Sequence, residues 1–297
     1  MTDKMRGTAE MTAAMLISGT IGWFVLLSGQ PVMDVVFWRC VFGAATLLIV
    51  CASLGMLRRD AIPRRLIALA ALGGVAIVVN WLLLFAAYSR ASISIATAVY
   101  NTQPFMLVGL GALLFGEKVT ATKLTWLGIA FAGMLLIVQG KPEASGSGSD
   151  YLGGILLSLG AAFFYAVAAV VAKKLKGTPP HLIALIQVTV GTLMLLPFAH
   201  LGDLPADLAS WSVLVAIGVV HTGLMYILLY SAIQRLPTTL VGSLSFIYPI
   251  AAIAVDYLAF GHRLQPAQFL GAAAILLAAA GMNLGWAPWL HRRKAAA

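Results

Sequence analysis

Charge is what this sequence has least of. Asp, Glu, Lys and Arg together make up 10% of its 297 residues, against 61% hydrophobic ones. Too few polar side chains remain to cover the surface of a soluble globule, so the composition excludes that class and places the chain in a lipid bilayer. Acidic groups number only ten, and none falls near the middle of an apolar run, which leaves no clear carboxylate for proton coupling. Cysteine is almost absent. Cys40 and Cys51 share one helical run at a separation of about 16 Å, given ~1.5 Å of rise per residue, so they cannot bridge each other and read as packing residues. Also missing are a Ser/His pairing, paired aspartates, an acidic diphosphate-binding motif and any cluster of metal ligands. The sequence therefore argues against an enzyme and calls for no cofactor and no metal.

What is present is apolar length. Ten runs, at 11–29, 33–56, 65–88, 92–115, 121–139, 151–172, 181–200, 209–232, 237–260 and 266–287, each hold about 19 to 24 residues. At ~1.5 Å per residue such a run crosses a ~30 Å hydrocarbon core as a helix, whereas a barrel would show alternating strands of about ten residues. The Gly, Ser and Pro-containing stretch 141–150 reads as a linker between a first five-helix unit, 1–140, and a second, 151–297. The opening residues are basic, yet the apolar run after them is long and lacks a small-residue cleavage pattern, so it reads as a retained helix.

The second unit repeats the first. With a constant offset of 145, Leu83 to Lys118 aligns with Leu228 to Arg263, matching Leu83/Leu228, Leu84/Leu229, Ala87/Ala232, Arg90/Arg235, Pro104/Pro249, Leu113/Leu258, Phe115/Phe260 and Gly116/Gly261. Five helices per unit is an odd number, so the two units must lie in opposite orientations. The expected fold is an all-α integral membrane protein with ten transmembrane helices in two inverted repeats, the architecture of a transporter.

The net charge of +9 is distributed with a bias. With the N-terminus inside, the inner loops carry Lys4, Arg6, Arg58, Arg59, Arg64, Arg65, Lys118, Lys123, Lys173, Lys174, Lys176, Arg235, Arg292, Arg293 and Lys294, and the outer ones only Arg90, Lys141 and Arg263. This positive-inside pattern puts both termini in the cytoplasm and accounts for the basic character without a nucleic-acid partner.

Ionisable groups within the runs are costly there, and Arg39, His221 and Asp256 stand out for that reason. Arg39 is a possible docking point for a substrate carboxylate or else a structural partner of Asp256. Gln187 falls near the equivalent place in the second unit when Pro180 is set on Pro31. His221 reads equally as a satisfied core imidazole or a substrate contact. Pro104 and Pro249, matched at the midpoints of runs four and nine, are expected to kink both helices and to act as paired hinges, baring the carbonyls of Tyr100 and Ser245. Around the same depth lie Trp23, Asn80, Trp81, Thr97, Tyr100, Asn101, Phe163, Tyr165, Tyr226, Ser243, Phe246 and Tyr248. From them the expected substrate-binding set is Trp23, Asn80, Tyr100, Asn101, Phe163, Tyr165, His221, Tyr226, Phe246 and Tyr248: an uncharged aromatic cavity with few polar groups. Packing between helices, or interface anchoring, is the plainer account of each taken singly. A phosphate-bearing solute would call for several central cations, and only Arg39 is available.

Ten runs, the duplication, Phe115-Gly116-Glu117-Lys118 with its twin Phe260-Gly261-His262-Arg263, and Gly-rich fifth and tenth runs together resemble the EamA family of the drug/metabolite transporter superfamily. His262 stands where that family usually has Glu. Within the superfamily the chain is similar to bacterial exporters of aromatic amino acids. That resemblance implies an inner-membrane carrier, working as a monomer, that exports aromatic and other neutral amino acids by alternating access. A broad drug or metabolite exporter is the alternative, and a membrane-embedded enzyme a remote one.

Overall fold

The computed structural model describes residues 2–57, 63–88, 90, 96, 99–139, 151–202, 204–260 and 265–286. Thr97, His262, Arg263, the linker 141–150, the side chain of Asp256 and the basic residues Arg58, Arg59, Lys141, Arg292, Arg293 and Lys294 lie outside that description. Among the described residues every regular element is helical. In chain order these are α1 (Asp3–Ser28), α2 (Val32–Ser53), α3 (Arg64–Tyr88), α4 (Gln103–Phe115), α5 (Ala121–Gln139), α6 (Tyr151–Lys174), α7 (Pro180–Leu195), α8 (Leu208–Gly218), a π-helical turn (Val219–Leu224), α9 (Met225–Arg235), α10 (Thr238–Ser245), α11 (Ile247–Phe260) and α12 (Pro266–Leu284).

Among the described residues, six helical stretches are long and apolar enough to cross a membrane: Val32–Ser53, Arg64–Ala87, Leu152–Lys174, Pro180–Phe198, Leu208–Arg235 and Thr238–Ala259. Gln103–Phe115, Ala121–Leu136 and Pro266–Met282 are shorter apolar helices. Local sequence sets the ends. Pro31 and Pro179 precede α2 and α7, where a missing N–H leaves nothing unpaired. Gln265 and Gln268 cap α12 reciprocally, and Gly116 closes α4 at φ 63°, in the left-handed region where glycine carries no Cβ penalty.

The packing obeys the 145-residue offset. α3 lies on α6 as α9 lies on α1; α3 packs on α7 as α2 packs on α8; α2 with α7 and α5 with α12 are each their own counterparts. Single contacts follow the same rule. Gly218 leaves no room for a Cβ against Phe42, and Gly73 leaves none against Gln187; adding 145 to one residue of each pair gives the other pair. Gln187 therefore answers to Phe42 and not to Arg39, whose counterpart is the buried Ala184. The Gln187 amide accepts from Tyr230 Oη in the core.

The matched prolines do not kink continuous helices. Helix stops at a turn over Asn101 and Thr102 and restarts as α4 with Pro104 at its second residue; in the second unit it stops at Phe246, between α10 and α11, with Pro249 at the third residue of α11. Thr102 has ψ −13° and Phe246 ψ −4°, both rotated out of the α-helical value. A proline in the first turn of a helix lacks only an N–H that would be unpaired there, which explains why each break falls just before its proline. The two broken helices lie against each other, α4 on α10, with Gly242 seated over Pro104.

Candidate functional site

A cavity of about 130 Å³ lies where the two units meet. Five matched pairs line it, each with one residue per unit: Asn80/Met225, Trp81/Tyr226, Leu84/Leu229, Tyr100/Ser245 and Gln103/Tyr248. The pseudo-two-fold relation thus passes through the cavity, and both helix breaks open onto it. Backbone symmetry is not matched by chemistry. Arg39, Asn80, Asn101 and Gln103 all come from the first unit, whereas the second supplies Tyr165, Met225, Tyr226, Ser245 and Tyr248. No acidic side chain is among the described lining residues.

Arg39 is 2% exposed and neutral groups hold it. Its guanidinium lies 3.9 Å from the centre of the Trp81 ring, its Nε donates to Thr222 Oγ1 at 3.2 Å, and Nη2 reaches the His221 carbonyl at 3.5 Å. The π-helical turn builds that cradle: its wider winding advances Thr222 and the His221 carbonyl towards α2, and the Thr222 hydroxyl donates to Ile217 O at 3.1 Å. Gly43 gives Thr222 the space to come this close. Among the described residues no carboxylate pairs with Arg39. A buried cation held by neutral groups favours an anion beside it.

The other polar lining groups are largely engaged. Asn80 Nδ2 donates to Ala161 O at 2.7 Å and, more weakly, to Tyr100 Oη at 3.4 Å. Ser18 and Ser245 return their hydroxyl protons to Ala14 O and Val241 O on their own helices. Tyr100 and Tyr165 meet edge to face at 6.2 Å.

Of the residues expected from the sequence, Arg39, Asn80, Tyr100, Asn101, Tyr165, Tyr226 and Tyr248 come together here. Four do not line the cavity. Trp23 and Phe163 are 36% and 47% exposed and pack against their neighbours Phe24 and Phe164 on the outer surface of the bundle. Phe246 is fully buried against Phe131 beside α5 and α12. His221 is buried with Nε2 2.7 Å from Thr20 Oγ1 and its ring against Phe24; its backbone, not its imidazole, serves Arg39. Ser245, expected for its carbonyl, lines the cavity as well, and so do Gln103 and Ser18, which no sequence signal marks.

One end of the bundle is latched by charge. Glu117, in the turn after α4, accepts from Thr238 N and Oγ1 at 2.8 and 2.7 Å and pairs with Lys173 Nζ at 2.7 Å, while Lys173 also donates to Leu236 O. Burial opposes ionisation of Glu117, but the bond and charge of Lys173 with the bonds from Thr238 outweigh it and hold the carboxyl below the usual carboxylate range. At the same end Glu10 bonds Ser231 and pairs with Arg6 and Arg235, and Arg235 reaches Asp3. At the other end Asp34 accepts from His200 N and lies 3.0 Å from its Nδ1.

The sequence pattern of the EamA-like transporter family matches this chain twice, over residues 7–139 and 152–284, two segments that begin 145 residues apart. An uncharacterized transporter, YxxF, of Bacillus subtilis is 30% identical over 95% of this chain and 90% of its own. A probable amino-acid metabolite efflux pump of Salmonella typhimurium is 26% identical over 61% of this chain and 64% of its own, and a pseudopaline exporter, CntI, of Pseudomonas aeruginosa 28% over 64% of each. A solved crystal structure at 20% identity superposes with a TM-score of 0.80 over 94% of this chain and 96% of that one, so the fold is shared.

Proposed function

We propose that this chain, which belongs to the EamA-like transporter family, exports aromatic and other neutral amino acids by alternating access through the cavity between its units. The observation that carries this reading is a cavity in which one buried cation, held by neutral groups among the described residues, and the amides of Asn80, Asn101 and Gln103 stand beside tyrosines and methionine. Arg39 takes the carboxylate, as a planar guanidinium fixed by stacking suits that group. The amides of Asn80 and Asn101 flank the polar end, and Tyr165, Tyr226 and Tyr248 take the apolar body.

In this reading ten helices cross the inner membrane as two inverted repeats, with both termini cytoplasmic and the chain working as a monomer. The breaks before Pro104 and Pro249 are the equivalent flexing points, since the proline of each lacks an N–H for the helical ladder and the backbone there is held by short turn bonds such as Thr102 N to Val99 O and Phe246 N to Ser243 O. Relatives named as an amino-acid metabolite efflux pump and a pseudopaline exporter favour outward transport of small metabolites.

Counterflow in proteoliposomes tests the function. Vesicles preloaded with unlabelled phenylalanine or tryptophan are expected to take up the labelled amino acid saturably and without regard to an imposed pH gradient. Absence of flux for every amino acid assigns the cavity to other drugs or metabolites.

A further inference from the structure

Gln103 is the first residue of α4, lines the cavity and is 5% exposed. Its Oε1 is wholly buried without a hydrogen-bond partner, the one such atom on the described lining. Leaving a buried amide unpaired costs about 1–3 kcal/mol, so folding by itself does not favour glutamine here. The helix break explains its placement: on a continuous helix Asn101 and Gln103 would face about 200° apart, yet across the turn at Asn101 and Thr102 both reach the cavity.

An orphaned amide can serve a ligand as donor or acceptor. Donors are already supplied by Arg39, whereas no acidic side chain is among the described lining residues to take a cationic group. Three of the neutral oxygens are already engaged. Tyr100 Oη accepts from Asn80, and the hydroxyls of Ser18 and Ser245 are tied to their own helices. The terminal torsion of glutamine is broad and nearly two-fold, so a half-turn presents the oxygen to a solute.

We infer that Gln103 accepts the ammonium of a zwitterionic solute, and so sets a preference for α-amino acids over deaminated acids of the same shape. This rests on the amino acid reading of the cavity. Arg39 and Gln103 then divide the head group between them, carboxylate to one and ammonium to the other.

The test is competition in phenylalanine counterflow by 3-phenylpropionate, which lacks the amine, and 2-phenylethylamine, which lacks the carboxylate. In Gln103→Met, of similar size but without the acceptor, apparent affinity for phenylalanine is expected to fall about ten-fold or more while that for 3-phenylpropionate is unchanged. Equal loss for both overturns the inference and leaves the amino acid reading standing. Should Gln103→Met not fold, Gln103→Glu keeps the acceptor and adds charge. It is expected to retain phenylalanine and to gain competition by 2-phenylethylamine, and no gain overturns the inference. Absence of phenylalanine flux in the unmodified protein overturns both readings together.

Discussion

Arg39 is kept in place by an aromatic face, a hydroxyl and a carbonyl, none of which neutralises it. Lysine at this position keeps the charge but loses both the fork and the stacking on Trp81, so Arg39→Lys is expected to weaken apparent affinity for an amino acid about ten-fold while leaving yield and thermal stability close to normal. Competition curves in counterflow read the first and a melting curve in detergent the second; unchanged affinity would exclude Arg39 from contact with the solute. Seven of the expected site residues meet at the cavity because depth along a helix is legible from sequence: position within a run gives it directly. Angle around the helix is not. Tyr165 faces the cavity and Phe163, two residues earlier, faces about 200° away. Trp23 fails by the same geometry relative to Ile21, which does line the cavity. Apolar residues surround these helices on all sides, so no amphipathic stripe marks the inward face. Gln103 is hidden for a different reason, because its direction depends on a helix break that a hydropathy pattern does not contain.

At the scale of elements, the turn after α4 is joined to the start of α10 and the end of α6 through one carboxylate, Glu117. Its folded-state affinity for protons is depressed, so the stability it contributes is present above the unfolded value of about 4.3 and is lost as pH falls through the lower folded value. Melting temperature is therefore expected to drop on acidification below about 4.3 in the natural protein, and Glu117→Gln to lower it at neutral pH while flattening that dependence. A variant with the same pH profile as the natural protein would mean the latch contributes nothing to stability. Most elements could be located from the sequence, since apolar length and flanking prolines set them. The fourth and ninth runs were the exceptions. Proline signals a disturbance, but whether a helix bends or stops depends on what packs there, and Gly242 seated on Pro104 belongs to tertiary structure. The π-helical turn was equally hidden, as nothing in Val219–Leu224 departs from ordinary helix-compatible composition.

For the whole molecule, the charge bias predicts which end faces the cytoplasm. In a background with Cys40 and Cys51 replaced, Lys118→Cys is expected to react with an impermeant thiol reagent only from the cytoplasmic side and Asp207→Cys only from the opposite one; reversed labelling would invert the proposed orientation. The duplication was readable because a few matched positions, prolines and glycines above all, keep their identity for backbone reasons. The single composite seat was not, since matched positions there have diverged: asparagine faces methionine, and glutamine faces tyrosine. That divergence bears on how such carriers change their cargo over generations. Each matched lining pair draws one member from either copy of the ancestral unit, so a mutation alters one unit's contribution and spares the other's, and it need not touch the helix breaks. A lineage can thus exchange one solute for another in half-steps, keeping a working carrier throughout.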